Sequence, residues 1–199
     1  MTRDFPKIVL TGGPGGGKTT LMRELRKADP NAEKWILVPE AATILIRAGH
    51  RPGSKEFQLA VVEIQASLEK ACAVPAKVGQ VMVCDRSTVD SLAYWLKLGG
   101  PEEEFYVRTA ISKEEHYGRY LGAIQLQTTA IGAEPYYQRF MDGARVEPPE
   151  EAAEIERLCA QVWSRHPAYR LVENCSGGWA AKSKIAMDCL MRLVEEAHR

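Results

Sequence analysis

Residues 12–19 read Gly12-Gly13-Pro14-Gly15-Gly16-Gly17-Lys18-Thr19 and match the pattern GxxxxGK(S/T) at every fixed position. With no Cβ in the way, successive backbone N–H groups of such a run can converge on phosphate oxygens. Lys18 is placed to reach the β- and γ-phosphates of a nucleoside triphosphate, and the Thr19 hydroxyl to coordinate Mg²⁺. A helix opening at this point adds its positive dipole end. The eight residues, together with Thr20, form the candidate nucleotide-contacting set, with ATP as the expected donor.

Two further stretches carry groups suited to phosphoryl chemistry. Asp85 follows the apolar run Val81–Cys84, where a carboxylate can hold Mg²⁺ together with Thr19. Ser87-Thr88-Val89-Asp90 has capping-box spacing. Ser87 and Asp90 therefore take the helix cap, and Asp85 and Arg86 are left for chemistry. The arginine fork can span a transferring phosphoryl group. Glu40 follows the apolar run Trp35–Val38 and has two readings. It is a general base toward an acceptor hydroxyl, or a first-turn carboxylate offsetting a helix dipole.

Residues 132–149 are irregular and rich in Gly, Pro, Tyr and Arg, with Arg139 and Arg145 among them. They read either as an arginine-bearing flap that covers the phosphates and expels water or as an ordinary solvated loop. Phe57, Gln58 and Gln65 are candidates for an acceptor pocket, Phe57 reading more naturally as core. Tyr94 and Trp95 read as packing residues. The four histidines form no constellation. The five cysteines are scattered and never in a CxxC pair, so neither a disulfide framework nor a zinc site is readable.

Hydrophobic patterning supplies the elements that position these groups. Lys7–Thr11 is a buried strand that stops at the glycines, and Thr19–Ala28 carries Leu21, Met22 and Leu25 on one helical face. Trp35–Val38, Val81–Cys84, Ala123–Leu126 and Tyr169–Val172 read as further strands. Helices are expected over 40–48, from Phe57 to Ala71, up to Leu98, over 150–163 and over 180–196. Short apolar strands alternating with helices predict an α/β fold with a parallel sheet covered on both faces. At 199 residues the chain fits one domain with an insert over roughly 132–149.

The 26 basic and 26 acidic residues balance, which argues against a nucleic-acid surface and for a small solute as partner. The free thiols and the lack of a long apolar segment lead us to expect a cytoplasmic protein.

Taken in order, GGPGGGKT, VPEAA, CDRSTVDSLAY, the arginine-bearing segment and a final strand–helix unit resemble a family of small P-loop kinase-like proteins labelled AAA-domain ATPases. These are related to the ribosylnicotinamide kinase domain of bacterial NAD regulators. More distantly the chain is similar to deoxynucleoside and thymidylate kinases. The resemblance implies a P-loop NTPase three-layer sandwich, with a five-stranded parallel sheet in the order 2-3-1-4-5 and a mobile lid. It also implies Glu40 as base toward a sugar hydroxyl, Arg86 on phosphoryl oxygens and Asp85 on the metal. The lid arginines do not align with a known pair, and no signature identifies the acceptor.

The expected activity is ATP- and Mg²⁺-dependent transfer to a small hydroxyl-bearing acceptor, nucleoside- or nucleotide-like. Lys18, Glu40, Asp85, Arg86, Arg139 and Arg145 are its candidate catalytic residues. The alternatives are a regulatory NTP-binding module acting through a protein partner, and a polynucleotide 5′-kinase. An NKxD guanine signature is missing near the last strand, where the chain reads ENCSGG.

Overall fold

The computed structural model describes residues 5–137 and 147–197. Chain order is β1 (Lys7–Thr11), α1 (Lys18–Ala28), β2 (Trp35–Val38), α2 (Ala41–Arg47), α3 (Lys55–Ala73), β3 (Val81–Asp85), α4 (Asp90–Lys97), α5 (Glu102–Thr109), α6 (Lys113–Gly118), β4 (Gly122–Leu126), α7 (Pro149–Trp163), β5 (Tyr169–Val172) and α8 (Gly178–Ala197). The strands form one parallel sheet in the order β2-β3-β1-β4-β5. That is the order the resemblance implied.

Alternation along the strands decides which side each residue faces. Ile8 and Leu10 of β1, Val81 and Val83 of β3, and Ile124 and Leu126 of β4 pack on one side against Leu21 and Leu25 of α1 and Leu190 and Leu193 of α8. Val9 and Ala123 face the other side, against Leu92 and Trp95 of α4 and Ile155, Cys159 and Trp163 of α7. Met82 and Cys84 share that side with Ile36 and Val38, against Leu68 and Cys72 of α3. Two helical layers therefore sandwich the sheet, and the strand C-termini open on a common edge.

Residues 102–118, to which the sequence pattern assigns no element, form α5 and α6. Only Phe105 and Thr109 of α5 are buried, too few for a periodic stripe. α6 is started by a capping box, with Ser112 and Glu115 satisfying each other's backbone N–H. That spacing is legible in the sequence.

One buried polar chain fixes the loop after β3. Glu69 of α3 accepts from Tyr120 Oη at 2.9 Å and from Arg119 Nη2 at 2.8 Å. Tyr120 Oη in turn accepts from the Thr88 N–H at 3.1 Å, and Thr88 Oγ1 meets His116 Nδ1 at 3.0 Å. Burial pushes His116 down to about 4, so its imidazole serves here as a neutral structural link.

Candidate functional site

The glycine run leaves β1 and enters α1 with Gly12, Gly15 and Gly17 at positive φ. Gly17 is held at φ +96°, and a Cβ there would stand 2.1 Å from a Trp179 ring carbon. A Cβ on Gly16 would stand 2.2 Å from the Leu126 carbonyl oxygen. Only glycine fits either place. Gly17→Ala is accordingly expected to weaken ATP binding by about tenfold or more and to lower the melting temperature. Calorimetric titration and a thermal melt would check both, and unchanged values would show that the loop can be rebuilt around a side chain.

Lys18 is buried, and its Nζ donates to the carbonyls of Gly12 and Gly13 at 3.0 and 2.9 Å. Thr19 Oγ1 donates to Asp85 Oδ2 at 3.2 Å. The other Asp85 oxygen, Oδ1, is buried with no hydrogen-bond partner among the described residues. Burial, and then the neighbouring Glu40 carboxylate, push Asp85 up to about 6. A buried carboxylate oxygen without a donor, beside a threonine hydroxyl, fits a hard divalent cation such as Mg²⁺. No cluster of three or more His, Cys, Asp or Glu side chains able to hold a metal occurs among the described residues. A cation here would therefore take Asp85, Thr19 and oxygens of the nucleotide.

Arg86 adopts φ +68°, the left-handed region that a residue with a Cβ enters at a cost of roughly 1 kcal/mol or more. Two anchors hold it there. Its N–H donates to the Leu10 carbonyl at 3.0 Å, and Thr88 two residues on is tied to Tyr120. The twist sends neighbouring side chains to different tasks. Asp85 meets Thr19, whereas Arg86 Nε donates to Glu40 Oε1 at 2.8 Å and Nη1 to Asp90 Oδ1 at 3.3 Å. The guanidinium lies over the Tyr94 ring, 5.2 Å from its centroid.

The expected capping box at Ser87 and Asp90 is thus only half formed. Ser87 Oγ accepts the N–H groups of Val89 and Asp90, as a cap does. The Asp90 carboxylate instead accepts from Thr11 Oγ1 at 2.6 Å, Ser87 Oγ at 2.7 Å, Trp163 Nε1 at 3.3 Å and Arg86. It lies between β1 and α7, where a buried charge needs a cation, and Arg86 one turn earlier supplies it. Arg86 is consequently paired, not free.

Glu40 stands just before α2, with its side chain 27% exposed. Burial alone would raise its pKa, but Arg86 and the Thr43 hydroxyl, 2.6 Å from Oε2, outweigh that and hold the carboxyl below its usual range. It is ionised at neutral pH.

Glu40 and Arg86 border two adjoining spaces. One, of about 40 Å³, is lined by Pro14, Lys18, Thr19, Asp85 and Glu147. The other, a cavity of about 270 Å³, is walled by Phe57, Gln58, Gln65, Tyr94 and Ile46 among others. Phe57 both lines the cavity and packs with Ala41, Leu45 and Val61. Gln58 and Gln65 line it from α3, and Gln65 Nε2 donates to Glu69 Oε1 at 3.3 Å. Trp95 is wholly buried packing, as its position predicts, but Tyr94 is a wall of the cavity.

A family model described as the AAA domain matches residues 7–182. The chain belongs to the AAA domain family. A P-loop kinase or NTPase is what this AAA domain and its sheet order make it. A solved structure titled as the NadR protein in complex with NR matches with a TM-score of 0.69 over 96% of this chain, at 14% identity. The AAA domain chain spans 50% of the length of that protein, and a likeness so distant in sequence speaks for the fold. No protein of curated function matches the AAA domain chain in sequence. No helix among its described residues is long and apolar enough to cross a membrane.

Of the sequence candidates, the structure brings Lys18, Thr19, Glu40, Asp85 and Arg86 around one point. Thr20 is half-buried on α1. Arg139 and Arg145 lie outside the described residues. Sequence reasoning missed Glu147, whose Oε2 is buried with no partner among the described residues. It also missed Glu156 and Lys182, which contact the glycine loop from behind. None of the three belongs to a motif; an isolated Lys182 on the inward stripe of α8 was the single readable sign.

Proposed function

We propose that the protein transfers the γ-phosphoryl group of ATP, with Mg²⁺, to a hydroxyl of a small, nucleoside-like acceptor. The observation that carries this reading is the cavity of about 270 Å³ that adjoins the phosphate cradle across Glu40 and Arg86. Hydrolysis to water requires no such space, and a protein or polynucleotide acceptor requires an open groove.

In the step proposed, the acceptor oxygen forms a bond to the γ-phosphorus and the bond to the β-bridging oxygen breaks. The hydroxyl proton passes to Glu40, and ADP leaves. Mg²⁺ held by Thr19 and Asp85 would supply charge neutralisation on the phosphates. Lys18 binds the β- and γ-oxygens, and Arg86 keeps Glu40 ionised and oriented. The insert 132–149, with Arg139 and Arg145, is the proposed lid of a single domain. Catalysis of this kind is mostly positioning and electrostatics.

Charge favours an acceptor without phosphate. Glu40, Asp90, Glu147 and Glu151 line the cavity, against Arg86 and Lys97. Both cations are already paired, Arg86 with Glu40 and Asp90, and Lys97 with Glu151 at 2.6 Å. An anionic acceptor would meet net repulsion there.

The test is ADP release screened over nucleosides, nucleotides and small alcohols, with Lys18→Ala as control. Release that depends on a nucleoside and vanishes in Lys18→Ala supports the proposal. Acceptor-independent release from ATP that no small hydroxyl compound accelerates would overturn it.

A further inference from the structure

The glycine loop is gripped on its outer side, peptide by peptide. A trans peptide points its C=O and the next residue's N–H in opposite directions. Holding a carbonyl outward therefore aims the following N–H inward. Thr128 Oγ1 donates to the Pro14 carbonyl, Thr129 Oγ1 to that of Gly15 at 3.3 Å, and Lys182 Nζ to that of Gly16 at 3.2 Å. The opposed N–H groups are those of Gly15, Gly16 and Gly17. None of these three donates a hydrogen bond among the described residues.

Two peptides earlier, between Gly12 and Gly13, the arrangement reverses. Glu156 Oε2 accepts the Gly13 N–H at 2.6 Å, and the Gly12 carbonyl accordingly turns to the other side, where it accepts from Lys18 Nζ. Glu156 is held in turn by Gln125 Nε2 and the Thr128 N–H. The outer contacts thus set the direction of four of the five peptide groups between Gly12 and Gly17.

Lys182 is the costliest member of this frame. It is an ammonium 4% exposed, on α8, and burial pushes it down to about 8. Besides Gly16, it donates to the Gln127 carbonyl at 2.5 Å and to Asn174 Oδ1 at 2.9 Å. Those three oxygens take all three ammonium hydrogens.

We propose that Lys182, with the hydroxyls of Thr128 and Thr129, is a positioning group that presets the N–H groups of Gly15, Gly16 and Gly17 for phosphate before the nucleotide arrives. The proposal rests on the reading that this loop holds the triphosphate. Rigid donors aimed in advance bind more tightly, because no ordering is needed on binding.

The test is calorimetric titration of ATP, pyrophosphate and adenosine into wild type, Lys182→Met, Thr129→Val and Lys18→Ala, each checked for native circular dichroism. Lys182→Met is expected to weaken ATP and pyrophosphate by about tenfold or more, the scale of one lost hydrogen bond to a charged group. Adenosine, which has no phosphate, should keep its affinity. Equal losses for adenosine and pyrophosphate would overturn the proposal, since Lys182 would then act on the Asn174 loop. Unchanged pyrophosphate affinity in Lys182→Met, while Lys18→Ala loses it, would also overturn it. Unchanged affinity in Lys18→Ala would instead overturn the triphosphate reading itself. Should Lys182→Met not fold, Thr129→Val decides: a loss of about threefold for pyrophosphate and none for adenosine supports the proposal, and no loss overturns it.

Discussion

Glu40→Gln is expected to lower phosphoryl transfer by roughly a hundredfold or more, the usual effect of removing a general base. ATP affinity should stay within a few-fold. The amide retains an oxygen for Arg86 Nε, and the Thr43 hydroxyl can rotate to accept from the amide nitrogen, so the geometry seen at 2.8 and 2.6 Å can persist. What disappears is the ability to take a proton. Single-turnover rates with a saturating nucleoside acceptor, set beside ATP titrations, separate the two effects. Unchanged transfer would remove Glu40 from the mechanism and leave it as the partner of Arg86.

The same variant has a signature in stability. Arg86 and Thr43 depress the Glu40 pKa in the folded state, below its ordinary 4.5. The stability contributed by this group is therefore present above that ordinary pKa and is lost as pH falls through the lower folded value. Glu40→Gln should melt earlier than wild type at neutral pH, and the two should converge in acid.

Asp85→Asn should separate function from stability in the opposite sense. Transfer is expected to fall on the order of a hundredfold or more, because the carboxylate proposed to hold Mg²⁺ is lost. The ligand-free protein, however, should melt higher. Asp85 is raised from 3.8 to about 6 by burial and by Glu40, and its Oδ1 has no donor among the described residues. Its stabilising contribution is complete below 3.8 and is lost as pH rises through about 6. At neutral pH the empty site therefore holds an unfavourable charge, which asparagine removes. Each kcal/mol recovered corresponds to roughly 2–4 °C in a chain of this size.

Magnesium should stabilise wild type and not the variant, because a ligand binding only the folded state shifts the melt. By the same titration, magnesium binding to ligand-free wild type should weaken as pH falls through about 6, because the carboxyl must lose its proton to take the cation. A lower melting point for Asp85→Asn at pH 7 would show that this carboxylate is satisfied in some other way.

Much of this architecture was legible in the residue order because it is written in local rules. Strand alternation from Ile8 to Leu10 and helix periodicity along α3 depend on near neighbours, and both survive into the structure. The cradle was legible for a related reason: only glycine tolerates φ +96° with a tryptophan ring where the Cβ would be. The Ser112–Glu115 box marks α6 equally locally, whereas α5 buries too little to reveal itself.

The rest of the candidate site obeys no such rule. Glu40 and Arg86 are 46 positions apart, and only the parallel pairing of β2 beside β3 brings their side chains to 2.8 Å. Asp90 reads as a cap in sequence, because nothing local shows that β1 and α7 will bury it beside Arg86. Lys182 stands 166 positions from the Gly16 carbonyl it pins. Sequence by itself determined the phosphate cradle, the α/β class and the carboxylate at the end of β3, since each follows from backbone conformation or short-range periodicity. Tertiary structure alone decided that Arg86 is paired, that a walled cavity adjoins the cradle, and that the loop is held from behind. Those depend on residues far apart in sequence, and only the finished packing of the sheet determines which partner each one finds.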